Sequence, residues 1–356
     1  MEEAAFLDLN INKKNISKKQ RSKEIDIIKG IACICVVYIH CPFPGHLGNS
    51  ISIINRFSVP FFFFTSGFYF LYNNSFINNS RIIKKIKHIL LLLKKAGSFY
   101  FVFCILINSL QYESWNIKEF TKNIIKKNIK GFILLNNPFL YTHLWFTLAL
   151  LYCYILMFIL YNINNKLITK SAILYFFLFF GLISYHLLTE FRNIYLINSL
   201  LKYLGIKYGA HLCFIFRALP FFIIGIIVKK NKLKPIKSSY ILLYFILGSL
   251  ITCIENYIFI ITLNSYIGTY FQLIALISFC LNGTPNDNRI FQILSYIGRE
   301  LSDKIYIYHR AARFIINLIL YKNKIDGREY KWFLYCRFFI ELLISFYLAF
   351  IMKLIE

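Results

Sequence analysis

Lys23-Glu24-Ile25-Asp26-Ile27-Ile28-Lys29-Gly30-Ile31-Ala32, continued by an apolar run from Cys33 to Ile39 and closed by His40, is the stretch on which the reading of this 356-residue chain turns. Its length suits a helix crossing a hydrocarbon layer of ~30 Å. Yet it carries Asp26 and Lys29, and ionisable groups inside a bilayer cost several kcal/mol unless they face a cavity or a partner. Lys29 and His40 stand eleven residues apart, about three helical turns, so they project from one face roughly 16 Å apart along the axis. Asp26, one turn before Lys29, shares that face. An ammonium at one end can hold the phosphates of a nucleotide-type donor, and an imidazole at the other can accept a proton from a hydroxyl. The plainer alternative is that Lys29 snorkels to the headgroups while His40 ends the helix at the opposite interface. Spacing alone does not separate the two.

Working outward, the composition places the rest of the chain in lipid. Hydrophobic residues make up 58% and aromatics 19%, with a mean hydropathy of +0.57, and apolar runs long enough to span recur from end to end. We expect an all-α, polytopic integral membrane protein of about ten helices around a central cavity. The spans fall near 25–41, 56–72, 88–110, 141–161, 168–189, 210–228, 239–256, 265–282, 303–321 and 331–354. The third, carrying Lys94 and Lys95, and the seventh and eighth, around Asn256 to Ser265, are the ones open to a different division. Residues 1–23 form a basic tail, and 24–356 form one membrane domain. The tail and first run begin as a signal peptide does, but Lys29 and the absence of a small-x-small site before His40-Cys41-Pro42 make the run a retained span.

The formal charge of +25 would point to nucleic acid in a soluble protein. Here the basic residues sit mainly in the connections, so nucleic acid is excluded. They are richer on the side of the N-terminus, which favours a cytoplasmic N-terminus. The lysine-bearing segment Ile117 to Lys130 fits that topology least and reads as an amphipathic surface helix. Nine cysteines without CxxC spacing argue for neither disulfides nor a metal site. There is no internal repeat of the kind many transporters show.

The segment Glu24 to His40 resembles the opening signature of the membrane acyltransferase 3 family, and most resembles the sugar O-acetylases that carry Lys rather than Arg. Further motifs follow in family order: Val59-Pro60-Phe61-Phe62-Phe63-Phe64-Thr65-Ser66-Gly67-Phe68, the basic Arg81-Ile82-Ile83-Lys84-Lys85, Leu144-Trp145-Phe146, Arg217-Ala218-Leu219-Pro220-Phe221-Phe222-Ile223-Ile224-Gly225, and Ser302-Asp303-Lys304-Ile305-Tyr306-Ile307-Tyr308-His309. The resemblance covers about residues 20 to 350. It implies transfer of an acyl group, usually acetyl from acetyl-CoA, to a hydroxyl of a surface or exported glycan or a lipid-linked sugar at the plasma membrane. On this chain it implies His40 as general base and Lys29, with Asp26 beside it, as the group that binds CoA or the thioester oxygen. No metal enters such a reaction.

Arg217, in mid-span beside Pro220, demands a cavity or an acidic partner and could stabilise an oxyanion. His309 lies one turn after Tyr306 and one before Arg313, where it either contacts donor or acceptor or only ties helices together. Arg81, Lys84, Lys85 and His88 repeat along one face, as a phosphate-binding helix or as a positive-inside anchor would. Trp145 is an interfacial anchor by composition and a core-lining position by resemblance. Ser66-Gly67 reads as a close helix approach, and Arg337 with Glu341 as an intrahelical ion pair. The alternative from another class is a transporter or flippase for a glycan or lipid, since a helical bundle with buried charges serves either purpose.

Overall fold

Ser22 opens the first helix: its side chain accepts from the Ile25 amide at 3.2 Å, and helix α1 then runs unbroken from Lys23 to His40. It stops at His40 because Pro42 cannot donate to a further turn. In this computed structural model the described residues are 22–71, 79–111, 132, 142–164, 171–203, 212–259, 263, 265–283, 288–327 and 329–355. Most of the basic tail and the segment Ile117 to Lys130 lie outside them.

Among the described residues every regular element is helical. After α1 come α2 (Gly45–Ile54), a 3-10 turn (Asn55–Phe57), α3 (Ser58–Phe68), α4 (Asn79–Gln111), α5 (Trp145–Ile163), α6 (Ser171–Leu188), α7 (Tyr195–Tyr203) and α8 (Phe214–Arg217). Then follow α9 (Leu219–Asn231), α10 (Ser238–Phe259), α11 (Ile267–Asn282), α12 (Arg289–Tyr296), a five-residue π turn (Ile297–Leu301), α13 (Ser302–Lys322) and α14 (Lys331–Ile355). Five of these, α4, α5, α6, α10 and α14, are long and apolar enough to cross a membrane, and α11 is a shorter apolar helix. Their lipid-facing character is plain in exposed residues such as Phe176, Phe179, Leu242, Ile254, Leu343 and Tyr347, which would be unsupported in water.

Two expected spans are broken rather than continuous. The sixth divides at Ala218, whose φ of −121° and ψ of −49° leave the helix between α8 and α9. Pro220 in the first turn of α9 has no N–H for a carbonyl of the preceding turn, so a new helix starts there. The second begins as the 3-10 turn and becomes α3 only at Ser58, two residues before Pro60. In both places an arginine, Arg56 or Arg217, sits on the short turn just ahead of the proline. By contrast α4 passes straight through Lys94 and Lys95, both exposed, and begins earlier than expected.

The core forms where α3 crosses α9. A methyl group added to Gly67 would overlap the Phe222 carbonyl, and one added to Gly225 would overlap the Phe64 carbonyl and the Phe68 amide. The Ser66-Gly67 pair is therefore a site of close approach, as expected from the sequence. Phe61, Phe63, Phe64, Phe221 and Phe222 fill the surroundings. On the far side of α1, Arg337 Nε donates to Glu341 Oε1 at 2.9 Å and Arg337 Nη2 donates to Asn317 Oδ1 at 2.7 Å. That pairing neutralises the buried carboxylate within one helix. Gly225→Val should separate α3 from α9 and lower stability by ~1–3 kcal/mol or more, as overpacking does; a fall in the thermal midpoint of the solubilised protein measures it, and an unchanged midpoint would refute the tight crossing.

Candidate active site

The two ends of α1 open onto different cavities. At the Lys29 end, a cavity of about 610 Å³ is lined by Asp26 and Lys29 from α1, Thr65, Ser66 and Tyr69 at the end of α3, Arg81, Lys85 and His88 from α4, and Asp303 and Tyr306 from α13. Its charged side chains sum to an excess of basic groups, while Ile89, Leu92, Leu150 and Phe62 supply apolar wall. This volume falls in the usual range for small-molecule sites. At the His40 end, a cavity of about 110 Å³ is lined by His40, Arg56, Trp145, Arg217 and Ser265 with Val36, Ile39, Val59, Pro60 and Phe221.

Lys29 and His40 thus line two cavities rather than the single one expected. Between them lies one packed layer. Val36 and Val59 face the His40 cavity, and Phe62, Phe146 and Tyr306 face the Lys29 cavity; all five belong to the same hydrophobic cluster. Phe146 is the hub, with ring centroids 6.0 Å from Phe62 and 5.2 Å from Tyr306.

The His40 cavity owes its polarity to the broken helices. Arg217, at the end of α8, lies with its guanidinium carbon 3.2 Å from the centroid of Trp145, a stacked cation–π contact. Arg56 reaches the same space from the 3-10 turn. Trp145 therefore lines this cavity, half-buried, with its ring 6.0 Å from that of Phe63. His309 does not line this cavity but stacks behind His40, with centroids 4.9 Å apart and planes inclined by 28°. His143 meets His309 edge-on at 5.3 Å.

These three histidines are held by backbone. His309 Nδ1 lies 2.8 Å from the Tyr306 carbonyl and 3.2 Å from that of Ile305. Carbonyls only accept, so Nδ1 carries the proton and, in the neutral ring, Nε2 presents a lone pair; Nε2 has no hydrogen-bond partner among the described residues. By the same logic His143 Nε2 donates to the Ile307 carbonyl at 3.1 Å, which also accepts from Tyr100 at 2.5 Å. The Tyr306 hydroxyl donates to the His143 carbonyl, and Arg313 donates to the carbonyl of His40. The end of α1 is thereby joined to α13, and α13 to the turn before α5.

Of the residues singled out from sequence, His40, Arg217 and Trp145 come together at one cavity, and Lys29, Asp26, Arg81 and Tyr306 at the other. Lys84 is exposed and lines neither; the face of α4 that meets the cavity is Arg81, Lys85 and His88. Arg56 and His143 went unremarked in the sequence. A polar cluster on the other side of Ser265 also went unremarked: His186 bridges Glu190 at 2.9 Å and the Tyr270 hydroxyl at 2.7 Å, and Glu255 accepts from the Ile267 amide at 2.9 Å, capping α11.

Apolar helices of spanning length, with two polar cavities set at opposite ends of one charged helix, define a helical membrane protein with a site inside its bundle. Comparison with family models gives the family directly: residues 22–354 match the acyltransferase domain of the acyltransferase 3 family, so the chain belongs to it and is an acyltransferase. Neither the curated proteins nor the solved structures give a match.

Trp145→Leu should remove the ring on which Arg217 lies. We expect a loss of about 0.5–2 kcal/mol in stability and a marked drop in acyl transfer, with Trp145→Phe restoring most of both. Denaturation midpoints and transfer rates in membranes check this, and equal behaviour of the two variants would show that the stacking is incidental.

Proposed function

We propose that this acyltransferase moves an acyl group, acetyl in the usual case, from acyl-CoA to a hydroxyl of an exported or cell-surface glycan or a lipid-linked sugar. The observation that carries the reading is the division of labour along α1: a large basic cavity at Lys29 and a small one at His40. Lys29, Arg81 and Lys85 suit the phosphates of a CoA donor, with Asp26 and Asp303 among them to position the ammonium. His40 suits proton removal from a hydroxyl, which is a poor nucleophile until deprotonated.

In the proposed reaction His40 takes the acceptor's hydroxyl proton as its oxygen attacks the thioester carbonyl. The electron pair collects on the carbonyl oxygen, where Arg217, fixed by Trp145, stabilises it. Collapse of the tetrahedral intermediate expels the CoA thiolate, which receives the proton, and leaves the ester on the acceptor. His309 stacks on His40 and keeps its ring in place. Since donor and acceptor sides are divided by the layer of Val36, Val59, Phe62, Phe146 and Tyr306, the acyl end of the donor has to pass that layer to react.

The same reading places the protein in the plasma membrane with its N-terminus and the Lys29 cavity on the cytoplasmic side, where acyl-CoA is made. Support comes from the basic residues concentrated in the connections on that side. It takes α1, α3, α9, α11 and α13 as further crossings beside the five long helices, for ten in all. An α1 of 18 residues spans about 27 Å, close to the hydrocarbon thickness. Membership of an acyltransferase family, and not of a carrier family, sets the transporter reading aside.

His40→Ala should reduce transfer of labelled acetyl to membrane acceptors by ~10²-fold or more with expression unchanged, and undiminished transfer would remove His40 from the mechanism. Lys29→Ala should act differently, raising the KM for acyl-CoA several-fold while kcat falls less. An unaltered KM would detach Lys29 from the donor.

A further inference from the structure

The His40 cavity carries more positive charge than the proposed chemistry uses. Arg56 and Arg217 both line it together with His40, and no carboxylate is among its lining residues. Two guanidiniums sharing so small and enclosed a space repel one another in a medium of low dielectric. Arg217 is steadied by the Trp145 face at 3.2 Å. Arg56 has no such ring: its Nε is buried and makes no hydrogen bond among the described residues. The neighbouring polar groups on that side are the Tyr185 and Tyr266 phenols, already engaged with the Ser265 and Leu263 amides at 3.3 and 3.0 Å. The buried carboxylates of Glu190 and Glu255 do not line this cavity: Glu190 Oε1 meets His186 and Glu255 meets the first turn of α11, while Glu190 Oε2 has no hydrogen-bond partner among the described residues.

One cation suffices for an oxyanion that exists only during the transfer. A second, held with an unused donor in the resting cavity, calls for an anion that is present before the reaction starts. Its planar fork of donors matches a carboxylate or a phosphate in particular. The 3-10 turn ahead of α3 brings Arg56 into the cavity beside Val59 and Pro60, with His40 at the end of α1 lining the same space. An anion there would set a neighbouring hydroxyl against His40.

We propose that the acceptor is an acid: a sugar or carrier bearing a carboxylate or phosphate close to the hydroxyl that is acylated, held by Arg56 with Arg217 beside it while His40 faces the hydroxyl. This rests on the reading of the His40 cavity as the acceptor site. In a cavity of about 110 Å³, the anionic group and the reacting hydroxyl are the parts of the acceptor that meet Arg56 and His40 in this reading.

The test uses the purified full-length protein in nanodiscs with three probes: methyl β-glucuronide for the carboxylate, glycerol phosphate for the phosphate and methyl β-glucoside as the neutral control. Thermal stabilisation and competition against acyl transfer to membrane acceptors are both measured. At least one anionic probe should act at a concentration about tenfold lower than the glucoside, and which one does so tells carboxylate from phosphate. Arg56→Gln should abolish that preference and Arg56→Lys should keep part of it. Lys29→Ala, at the other cavity, should leave the preference intact, which excludes binding at the donor phosphates as its source. Equal action of all three probes, or a preference that survives Arg56→Gln, overturns the proposal. Stabilisation needs no turnover, so an anion preference in a protein whose transfer is insensitive to His40→Ala would refute the role of His40 and leave the anion site standing.

Discussion

A cation inside an apolar bundle has to be met by a ring, a carbonyl or an acid, and the architecture around α1 follows from the ways this is done. Arg337 takes the acid, Glu341, one turn away on its own helix. Arg313 takes the carbonyl at the open end of α1, where the helix has exposed acceptors of its own. Arg217 takes the face of Trp145. Each solution ties together two elements or neutralises one, and in doing so fixes where α13, α8 and the start of α5 stand relative to His40. Remove the need to satisfy these charges and there is little reason for a polar cavity to survive among Phe61, Phe63, Phe221 and Phe222, all of which are buried.

Much of this was legible in the sequence because membrane helices advertise themselves by length and hydropathy, and because buried charges are few enough to be noticed one by one. The family, the helical class, the tight approach at Gly67 and the Arg337–Glu341 pair were all readable on those grounds. What was not readable depends on packing between distant segments. Arg56 stands at the first residue of an expected span and looks like an ordinary flanking cation. Only the short turn before Pro60 aims it inward. His143 lies in a polar stretch just before Trp145, and its partner carbonyl is 164 residues away. The break at Ala218 had a visible cause in Pro220, yet a proline in a membrane helix is compatible with a kink as well as a stop.

The central cavity expected of the bundle became two, with Lys29 at one and His40 at the other, for a reason their spacing could not contain. Two residues on one face of a helix share a direction, and whether they share a space is decided by what the neighbouring helices insert between them. Here three elements insert aromatic rings: Phe62 from α3, Phe146 from α5 and Tyr306 from α13. These come from the same motifs that mark the chain as an acyltransferase, so residues that look like framework in the sequence stand at the crossing point between the two cavities.

The members of that layer are not held alike. The Tyr306 hydroxyl is tied to the His143 carbonyl, which is itself anchored through His143 to Ile307 on α13. Moving Tyr306 would therefore break a buried hydrogen bond and disturb the histidine group behind His40. Phe62 and Phe146 meet the layer through ring contacts alone, and both are only partly buried. A rotamer change at either costs far less than the displacement of a helix fixed by Gly67 and Gly225. If the proposed transfer brings the acyl end of the donor to His40, the path opens on the side of these two phenylalanines, while Tyr306 stays as its fixed wall.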